Sequence, residues 1–230
     1  MTTDVATLRR ALENLTHFGV TTAAVWIRGQ MHVYGYTDCA AVYVTLPADT
    51  NEYKGNVPVS HLVKLLRSCA GQSVVRLKFY SDYLRVENEV VYLVKCVDVP
   101  FKPMEWPTVR PCGRFCVSLP TLFRFLRLAG DTVQVERSHG VSFKTTYQGV
   151  MESTVDFPTF DDPMMTVFGV PLLCNEPWPE FLEFSSALLK QLCRSQSFQN
   201  SGKLVVCRGH VVYEAWRDEV QLLVCFSMRD

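Results

Sequence analysis

Most of the chain alternates between apolar and polar residues with a period of two, which predicts β-strands. Val, Tyr, Phe and Thr are frequent in these stretches, as is typical of strands that bury one face. Turn dipeptides such as Arg28-Gly29 and His139-Gly140 separate the stretches. The predicted strands cover residues 23–29, 40–47, 74–80, 90–99, 115–120, 132–137, 140–147, 153–157, 181–185, 203–209, 210–216 and 220–228.

Four stretches instead show the spacing of amphipathic helices, at residues 6–18, 59–71, 119–130 and 184–196. In the first of them, Leu8, Leu12 and Leu15 share one face. We expect Ser60 to cap the second helix, and Ser185 or Ser186 to cap the fourth. The helices recur about every sixty residues, which predicts one repeated unit consisting of a lead-in strand, a short helix and about three strands.

Two such units make one domain, so the sequence predicts two similar domains. A proline-rich stretch lies between them. Because prolines do not fit a central strand, we predict that this stretch is an extended linker. The predicted boundaries are 1–97 for the N-terminal domain, 98–113 for the linker and 114–230 for the C-terminal domain. The predicted fold class is α+β, with helices on one side of the sheets.

Composition is that of an ordinary globular protein, with 48% apolar and 20% charged residues among 230. The polar start MTTDVATLRR does not resemble a secretory signal. Nine scattered cysteines favour reduced thiols and therefore a reducing compartment.

Charge is distributed unevenly, although the chain has no net charge. The helical stretches hold one acidic residue, Glu13, and carry a net charge of +7, which leaves −7 for the rest. Their basic residues are Arg9, Arg10, Lys64, Arg67, Arg124, Arg127, Lys190 and Arg194. A pair of basic residues on a single helix usually marks only the side of that helix that faces solvent. Four helices that agree favour a surface that contacts the phosphate backbone of DNA without reading its sequence.

Catalysis is not indicated. The five histidines are far apart and form no helical metal-binding pair. Cys112 and Cys116 stand four apart, without a second pair at ligand spacing. The sequence therefore predicts no catalytic residue, no metal and no cofactor.

Several segments, in order along the chain, resemble the sliding clamp family of proliferating cell nuclear antigen. They are TLRRALENL at 7–15, KLLRSCAG at 64–71, FCVSLPTLF at 115–123, GDTVQVERSHGVSFKTT at 130–146 and EPWPEFLEFSSALLKQL at 176–192. The resemblance covers nearly the whole chain.

The resemblance implies a homotrimeric ring around duplex DNA, with helices on the inner face and sheets outside. Such a ring is a DNA polymerase processivity factor and a docking platform for replication and repair proteins. Its expected partners are double-stranded DNA, a DNA polymerase, other proteins with clamp-binding peptides, and a clamp loader. Its expected location is the nucleus or another site of DNA replication.

By position, the resemblance also implies two protein-contact sites. The peptide pocket falls on Tyr34, Asp38, Cys39, Met104, Trp106, Leu223, Cys225 and Phe226. The subunit interface falls on Val91, Leu93, Val94, Thr154, Val155 and Phe157.

Departures from the family pattern, such as Cys225-Phe226 in place of an Ala-Pro pair, indicate a divergent member of either cellular or viral lineage. Two alternatives share the fold: a subunit of a heterotrimeric checkpoint clamp, and a monomeric viral processivity factor. A monomer must hold DNA by charge alone, so the neutral chain favours the ring.

Overall fold

The computed structural model divides the chain into two compact units, which are described separately. The first contains residues 1–105 and 216–223, and the second contains residues 106–215 and 224–230. The structure describes residues 2–48, 52–69, 71, 74–103, 105, 110–137, 140–159, 164–167, 170–173, 176–179 and 182–227.

The first unit contains two repeats of strand, helix and three strands. The first repeat is β1 (Thr2–Asp4), α1 (Val5–His17), β2 (Thr22–Arg28), β3 (Gln30–Tyr36) and β4 (Ala40–Pro47). The second repeat is β5 (Tyr53–Pro58), α2 (Val59–Ser68), β6 (Val74–Phe79), β7 (Tyr83–Glu87) and β8 (Val91–Lys95).

The second half of the chain follows the same plan, with one addition. Its first repeat is β9 (Pro111–Ser118), α3 (Leu119–Leu126), β10 (Thr132–Arg137), β11 (Val141–Tyr147) and β12 (Met151–Phe157). A hairpin of β13 (Met164–Val167) and β14 (Val170–Leu173) follows. The sequence analysis predicted neither this hairpin nor the strands β3, β5 and β7. The last repeat is β15 (Glu183–Ser185), α4 (Ser186–Cys193), a 3-10 turn (Arg194–Ser197), β16 (Ser201–Cys207), β17 (His210–Arg217) and β18 (Val220–Ser227).

The two repeats of each unit exchange their lead-in strands. In the first unit β1 pairs with β6 and β5 pairs with β2, which gives the strand orders β1-β6-β7-β8 and β5-β2-β3-β4. Residues 220–223 of β18 also belong to this unit. In the second unit β15 pairs with β10 and β9 pairs with β16, which gives the orders β12-β11-β10-β15 and β18-β17-β16-β9. The predicted fold class of two similar domains, each a duplicated helix-plus-strands unit, is confirmed.

The exchange of lead-in strands also explains how the helices begin. The backbone N–H of Val59 donates to Thr21 O at 3.0 Å, and those of Leu119 and Ser186 donate to carbonyls at 2.8 and 2.9 Å. These bonds satisfy amide groups that a helix start otherwise leaves open. α2 therefore begins one residue before the predicted cap Ser60, and Pro58 occupies the cap position without a side-chain bond. Only α1, among the four helices, has a side-chain cap in the described structure, from Asp4.

The cores form where the leucine faces of paired helices meet the sheets. α1 packs on α2, and α3 packs on α4. Leu8, Leu12 and Leu15 are buried, as the spacing predicts. Full burial of such a side chain contributes roughly 1.5–3 kcal/mol.

Among the boundaries that differ from the sequence prediction, two concern the third helix and the predicted linker. α3 ends at Leu126, after which short turns carry the chain to Gly130. β9 begins at Pro111, inside the predicted linker, because a proline is tolerated as the first residue of the last strand of a sheet. No helix of the described residues is long and apolar enough to span a membrane.

Candidate nucleic-acid interface and partner-docking surface

In the first unit, the basic side chains predicted to contact DNA lie on two adjacent helices. Arg9 and Arg10 on α1 are partly buried, whereas Lys64 and Arg67 on α2 are exposed. Lys64 and Arg67 lie on one side of α2, because residues three apart share a side of a helix, and the neighbouring Leu62 and Leu66 are buried. Contact of the four basic residues with DNA stays a prediction.

Glu13 neutralises part of this basic surface. Arg67 Nε donates to Glu13 Oε1 at 3.0 Å, and Arg9 Nε lies 3.9 Å from the same oxygen. The Glu13 side chain is only 13% exposed, because its carboxylate lies between arginines of the two helices. Arg10 and Lys64 have no acidic side chain within 4.0 Å in the part of the chain that the structure describes.

In the second unit, all four predicted basic residues are exposed. Arg124 lies on α3, Arg127 follows its last turn, Lys190 lies on α4, and Arg194 begins the turn after α4. Among the described residues, no carboxylate lies within 4.0 Å of any of them. Cations at helix C-termini are also favoured by the helix dipole, so Arg127 and Arg194 have a structural role as well.

On the first unit, a chain segment covers the sheet face opposite the helices. We call residues 97–103 and 105 the covering segment. Met31 and Val33 of β3 face the leucines of α1, so the alternate residues of β3 face the covering segment. Asn56 of β5 holds its start: Asn56 Nδ2 donates to Val99 O at 2.8 Å, and Val97 N donates to Asn56 O at 2.9 Å.

Three tyrosine hydroxyls hold the rest of the covering segment. Tyr34 donates to Lys102 O at 2.8 Å, and Tyr43 donates to Glu105 O at 2.9 Å. The hydroxyl of Tyr36 accepts from Glu105 N at 3.1 Å. Each such bond contributes roughly 0.5–1.5 kcal/mol, so the three together fix the backbone of the segment.

Aromatic contacts reinforce this arrangement. The Tyr34 ring lies 6.4 Å from the Phe101 ring and 6.3 Å from the Tyr43 ring. Lys102 Nζ lies 4.9 Å from the centre of the Tyr36 ring, within cation–π range. Burial raises the pKa of the Tyr34 phenol above its usual value, with a smaller contribution from Tyr36.

Seven of the eight residues predicted for the peptide pocket fall into three groups. Asp38 and Cys39 are exposed, in the turn between β3 and β4. Tyr34, Leu223 and Cys225 are buried, and burial raises the pKa of the Cys225 thiol to about 12. Met104 and Trp106 lie outside the described residues.

Phe226 differs from its predicted role as a pocket residue. Its ring packs on Phe184 at 5.9 Å in the core of the second unit, and the residue is 2% exposed. Neighbouring strand residues point to opposite faces, so Phe226 and Cys225 face different sides of β18.

The predicted subunit interface falls on two end strands. β8 is the last strand in its sheet and exposes Val91 and Leu93, which are 50% and 65% accessible. β12 ends the corresponding sheet of the second unit and exposes Thr154, while Val155 is partly buried.

Two of the predicted interface residues face inward instead. Val94 and Phe157 are 8% and 4% exposed, because each alternates with outward-facing neighbours along its strand. Their side chains pack in the cores of their own units, and the Phe157 ring lies 5.2 Å from Phe143.

Sequence reasoning missed two features of these surfaces. Tyr36 and Tyr43 were not predicted to hold a chain segment. The spacing of Tyr34 and Tyr36, two residues apart on one strand, does indicate that they share a face of the sheet. The contact of Arg67 with Glu13 joins residues 54 positions apart and had no local signal. Within the described residues, no three His, Cys, Asp or Glu side chains form a group that could hold a metal ion.

Comparisons with known proteins establish the fold. No family model matches the chain, and no curated protein matches it by sequence. Among solved structures, the chain is similar to the proliferating cellular nuclear antigen from Entamoeba histolytica, with a TM-score of 0.75 and 13% sequence identity. The match covers 100% of this chain and 98% of that chain. The chain therefore has the fold of a DNA sliding clamp, as its sequence predicts.

Proposed function

We propose that three copies of this chain form a ring around duplex DNA and act as a sliding clamp. The clamp is a processivity factor for a DNA polymerase and a docking platform for replication and repair proteins. The observation that carries the proposal is the segregation of charge: in a clamp-fold chain of zero net charge, the four helices and the turns that directly follow α3 and α4 hold eight basic residues and one acidic residue.

The mechanism follows from charge and topology. Arg and Lys side chains on the helix faces contact phosphates, which carry no sequence information, so the ring slides without a preferred site. The contacts are individually weak and depend on salt. Retention on DNA comes from ring closure, which needs no tight binding. No catalytic group and no cofactor take part.

Partner proteins dock, in this proposal, beside the covering segment. Tyr34 holds this segment through Lys102 O, and Asp38 and Cys39 are exposed in the turn after β3. The predicted pocket residues Met104 and Trp106 lie in or next to the same stretch of the sequence. Replacing Trp106 with Ala should weaken a clamp-binding peptide of the cognate polymerase by about 1–3 kcal/mol, the cost of losing a buried anchor. An unchanged affinity would place the docking site elsewhere.

The proposal is tested by two measurements: the molar mass of the protein in solution and the length of the products that its polymerase makes. Light scattering on the pure protein should give three times the 26.2 kDa of one chain. With a clamp loader, the protein should lengthen the products of its polymerase on a primed circular template. On a linear template with open ends the effect should be lost, because a ring slides off. Equal stimulation on both templates would contradict a topological link.

The same measurements separate the alternatives. A checkpoint-clamp subunit should not form a trimer alone and should assemble only with two different chains. A monomeric processivity factor should stimulate synthesis on circular and linear templates alike. We place the protein at sites of DNA replication, in the nucleus or at a viral replication site, and in a reducing environment.

A further inference from the structure

The sheet that contains β6, β7 and β8 turns one face away from the helices. Leu77 and Leu84 of this sheet line the same apolar space as Leu8 and Leu12 of α1, so the alternate residues of its strands point outward. We call six of the outward residues the aromatic–basic face: Arg76, Lys78, Tyr80, Tyr83, Arg85 and Lys95.

The strands beneath this face carry a net charge of +3. β6, β7 and β8 contain four basic residues and one acidic residue, Glu87. The outward residues of the corresponding strands β10, β11 and β12 instead include three acidic residues and one basic residue. Asp82 and Glu89 are exposed in the turns between the strands of the first sheet. The positive charge is therefore a property of this one sheet and not of the repeated unit.

The single carboxylate of these strands is surrounded by cations. Glu87 Oε1 lies 3.2 Å from Lys78 Nζ and 2.6 Å from Arg85 Nε. The hydrogen bond from Lys78 lowers the pKa of Glu87, and the charges of Arg85 and Arg76 lower it further. Arg76 and Lys95 are exposed and have no carboxylate within 4.0 Å in the described parts of the chain. The face therefore keeps positive charge that the described protein groups do not neutralise.

The strand register brings two of the cations together. Lys78 on β6 lies directly opposite Arg85 on β7. Like charges in directly opposed positions destabilise a sheet, and Glu87 offsets only part of this repulsion. Fold stability alone does not favour such a pair. An anionic ligand on the face would be attracted by both side chains and would reduce their repulsion.

Two aromatic rings adjoin these cations. The rings of Tyr80 and Tyr83 are stacked, with centres 4.5 Å apart and planes 17° apart, and Tyr80 is 38% exposed. Tyr83 lies opposite Lys95 in the pairing of β7 with β8. Proteins hold single-stranded nucleic acid by stacking bases on aromatic side chains while cations contact the phosphates. An acidic peptide would use the cations but would not need the rings.

We propose that the aromatic–basic face binds single-stranded nucleic acid without sequence preference. A base stacks on the exposed tyrosine pair, and the phosphates of the strand contact the four cations. Duplex DNA binds this face less well, because its bases are stacked on one another and do not reach the tyrosines. The site is distinct from the proposed contact of the helices with duplex DNA, and it does not require assembly of a ring.

The test compares single-stranded and duplex probes. Fluorescence anisotropy with oligothymidylate of about 12 nucleotides should show about 10-fold weaker binding by Tyr80→Ser/Tyr83→Ser, with little change for a duplex of the same length. Arg76→Gln/Lys95→Gln should reduce the salt dependence of oligothymidylate binding by about 0.7 units of log–log slope per cation. Lys54→Gln/Lys203→Gln removes two exposed cations from β5 and β16 and is the matched control, which should bind as the wild type does.

Ultraviolet cross-linking of the wild type to the same oligothymidylate gives a second measurement, which needs no variant that could fail to fold. The cross-linked peptide should contain Tyr80 or Tyr83. Cross-links found only on the helices would overturn the proposal, as would a folded Tyr80→Ser/Tyr83→Ser variant that binds oligothymidylate as tightly as the wild type.

Two further outcomes separate this inference from its alternatives. If a polyglutamate peptide displaces oligothymidylate and binds the tyrosine variant as well as the wild type, the face is a site for acidic proteins and the proposal is wrong. Arg124→Ala/Arg127→Ala should lose more affinity for the duplex than for oligothymidylate. If that variant keeps its duplex affinity while the tyrosine variant loses oligothymidylate, the proposed role of the helices fails and the single-strand site stands.

Discussion

Arg67 on α2 is bound to Glu13 on α1: Nε donates to Oε1 at 3.0 Å, and Nη2 lies 2.9 Å from the same oxygen. Arg9 approaches this oxygen from the other side, at 3.9 Å. Because Arg67 is 61% exposed, the pair adds less than about 1 kcal/mol to stability. The larger effect is that Glu13 neutralises part of the charge of Arg67 and Arg9. The first unit therefore offers less positive charge to DNA than its sequence indicates.

Glu13→Gln should strengthen contact with DNA. The change removes the one acidic charge among the helices and frees Arg67 and Arg9 for phosphates. We expect higher affinity for a short duplex and a steeper loss of affinity with salt, by up to about one unit of log–log slope per freed cation. Fluorescence anisotropy across a salt series measures both. Glu136→Gln, which frees Lys144 on a sheet, is the matched control, and an equal effect there would contradict the helix-specific interpretation.

Reversing charge on the second unit should be the most damaging change to DNA contact. Arg124→Glu/Arg127→Glu removes two exposed cations and adds repulsion, so clamp-dependent product length should fall more than with Arg124→Ala/Arg127→Ala. Exposed positions in and just after a helix tolerate Ala, so the melting temperature should change little. Arg208→Glu, in the turn before β17, serves as control. Normal processivity in the reversed variant would mean that these helices do not face DNA.

A charge in the exposed edge of β8 should separate the subunits. Val91 is 50% exposed on an end strand, and an apolar end strand invites pairing with another chain. Val91→Lys should therefore convert trimers into monomers in light scattering, with the fold retained in circular dichroism. Val74→Lys is a suitable control, since Val74 is similarly exposed at 44% and lies on β6, between β1 and β7. A trimeric Val91→Lys variant would move the interface away from β8.

Tyr34→Phe should loosen the covering segment without unfolding the first unit. The variant keeps the ring and loses the bond to Lys102 O, at a cost of about 0.5–1.5 kcal/mol. Amide hydrogen exchange at residues 98–103 should become faster, while exchange in α1 should not change. Tyr147→Phe, at an exposed ring, is the control. Unaltered exchange in the segment would mean that the hydroxyl does not hold it.

Stability should decline in alkaline solution, beginning near pH 9. Burial raises the pKa of Cys193 and Cys225 from 9.0 to about 12, and it raises those of Tyr34, Tyr53 and Tyr213 above 10.0. A group whose pKa is raised by folding contributes stability that is complete below its unfolded pKa and is lost as pH rises toward the folded value. The urea concentration at the midpoint of unfolding should therefore stay constant from pH 7.5 to 8.5 and decrease above pH 9. The decrease should be less steep in Tyr34→Phe, because that variant lacks one of these groups. A constant midpoint to pH 11 would contradict this prediction.

Local patterns were sufficient to predict the repeated unit and the faces of its helices. The spacing of Leu8, Leu12 and Leu15 reports burial directly, since an amphipathic helix exposes its remaining residues whatever it packs against. The same spacing placed Arg124 and Lys190 on exposed faces. Segregation of charge between helices and strands is likewise a property of the sequence, and it can be counted without coordinates.

Tertiary structure alone determined which distant residues meet. No local sequence period predicts the pairing of β1 with β6 and of β5 with β2. This exchange of strands depends on how the two repeats of the first unit bury their apolar faces against each other. The contact of Glu13 with Arg67, the three tyrosines over the covering segment and the inward ring of Phe226 depend on the same packing. Sequence periodicity states which face of an element is buried, and only the packed chain states what lies against that face.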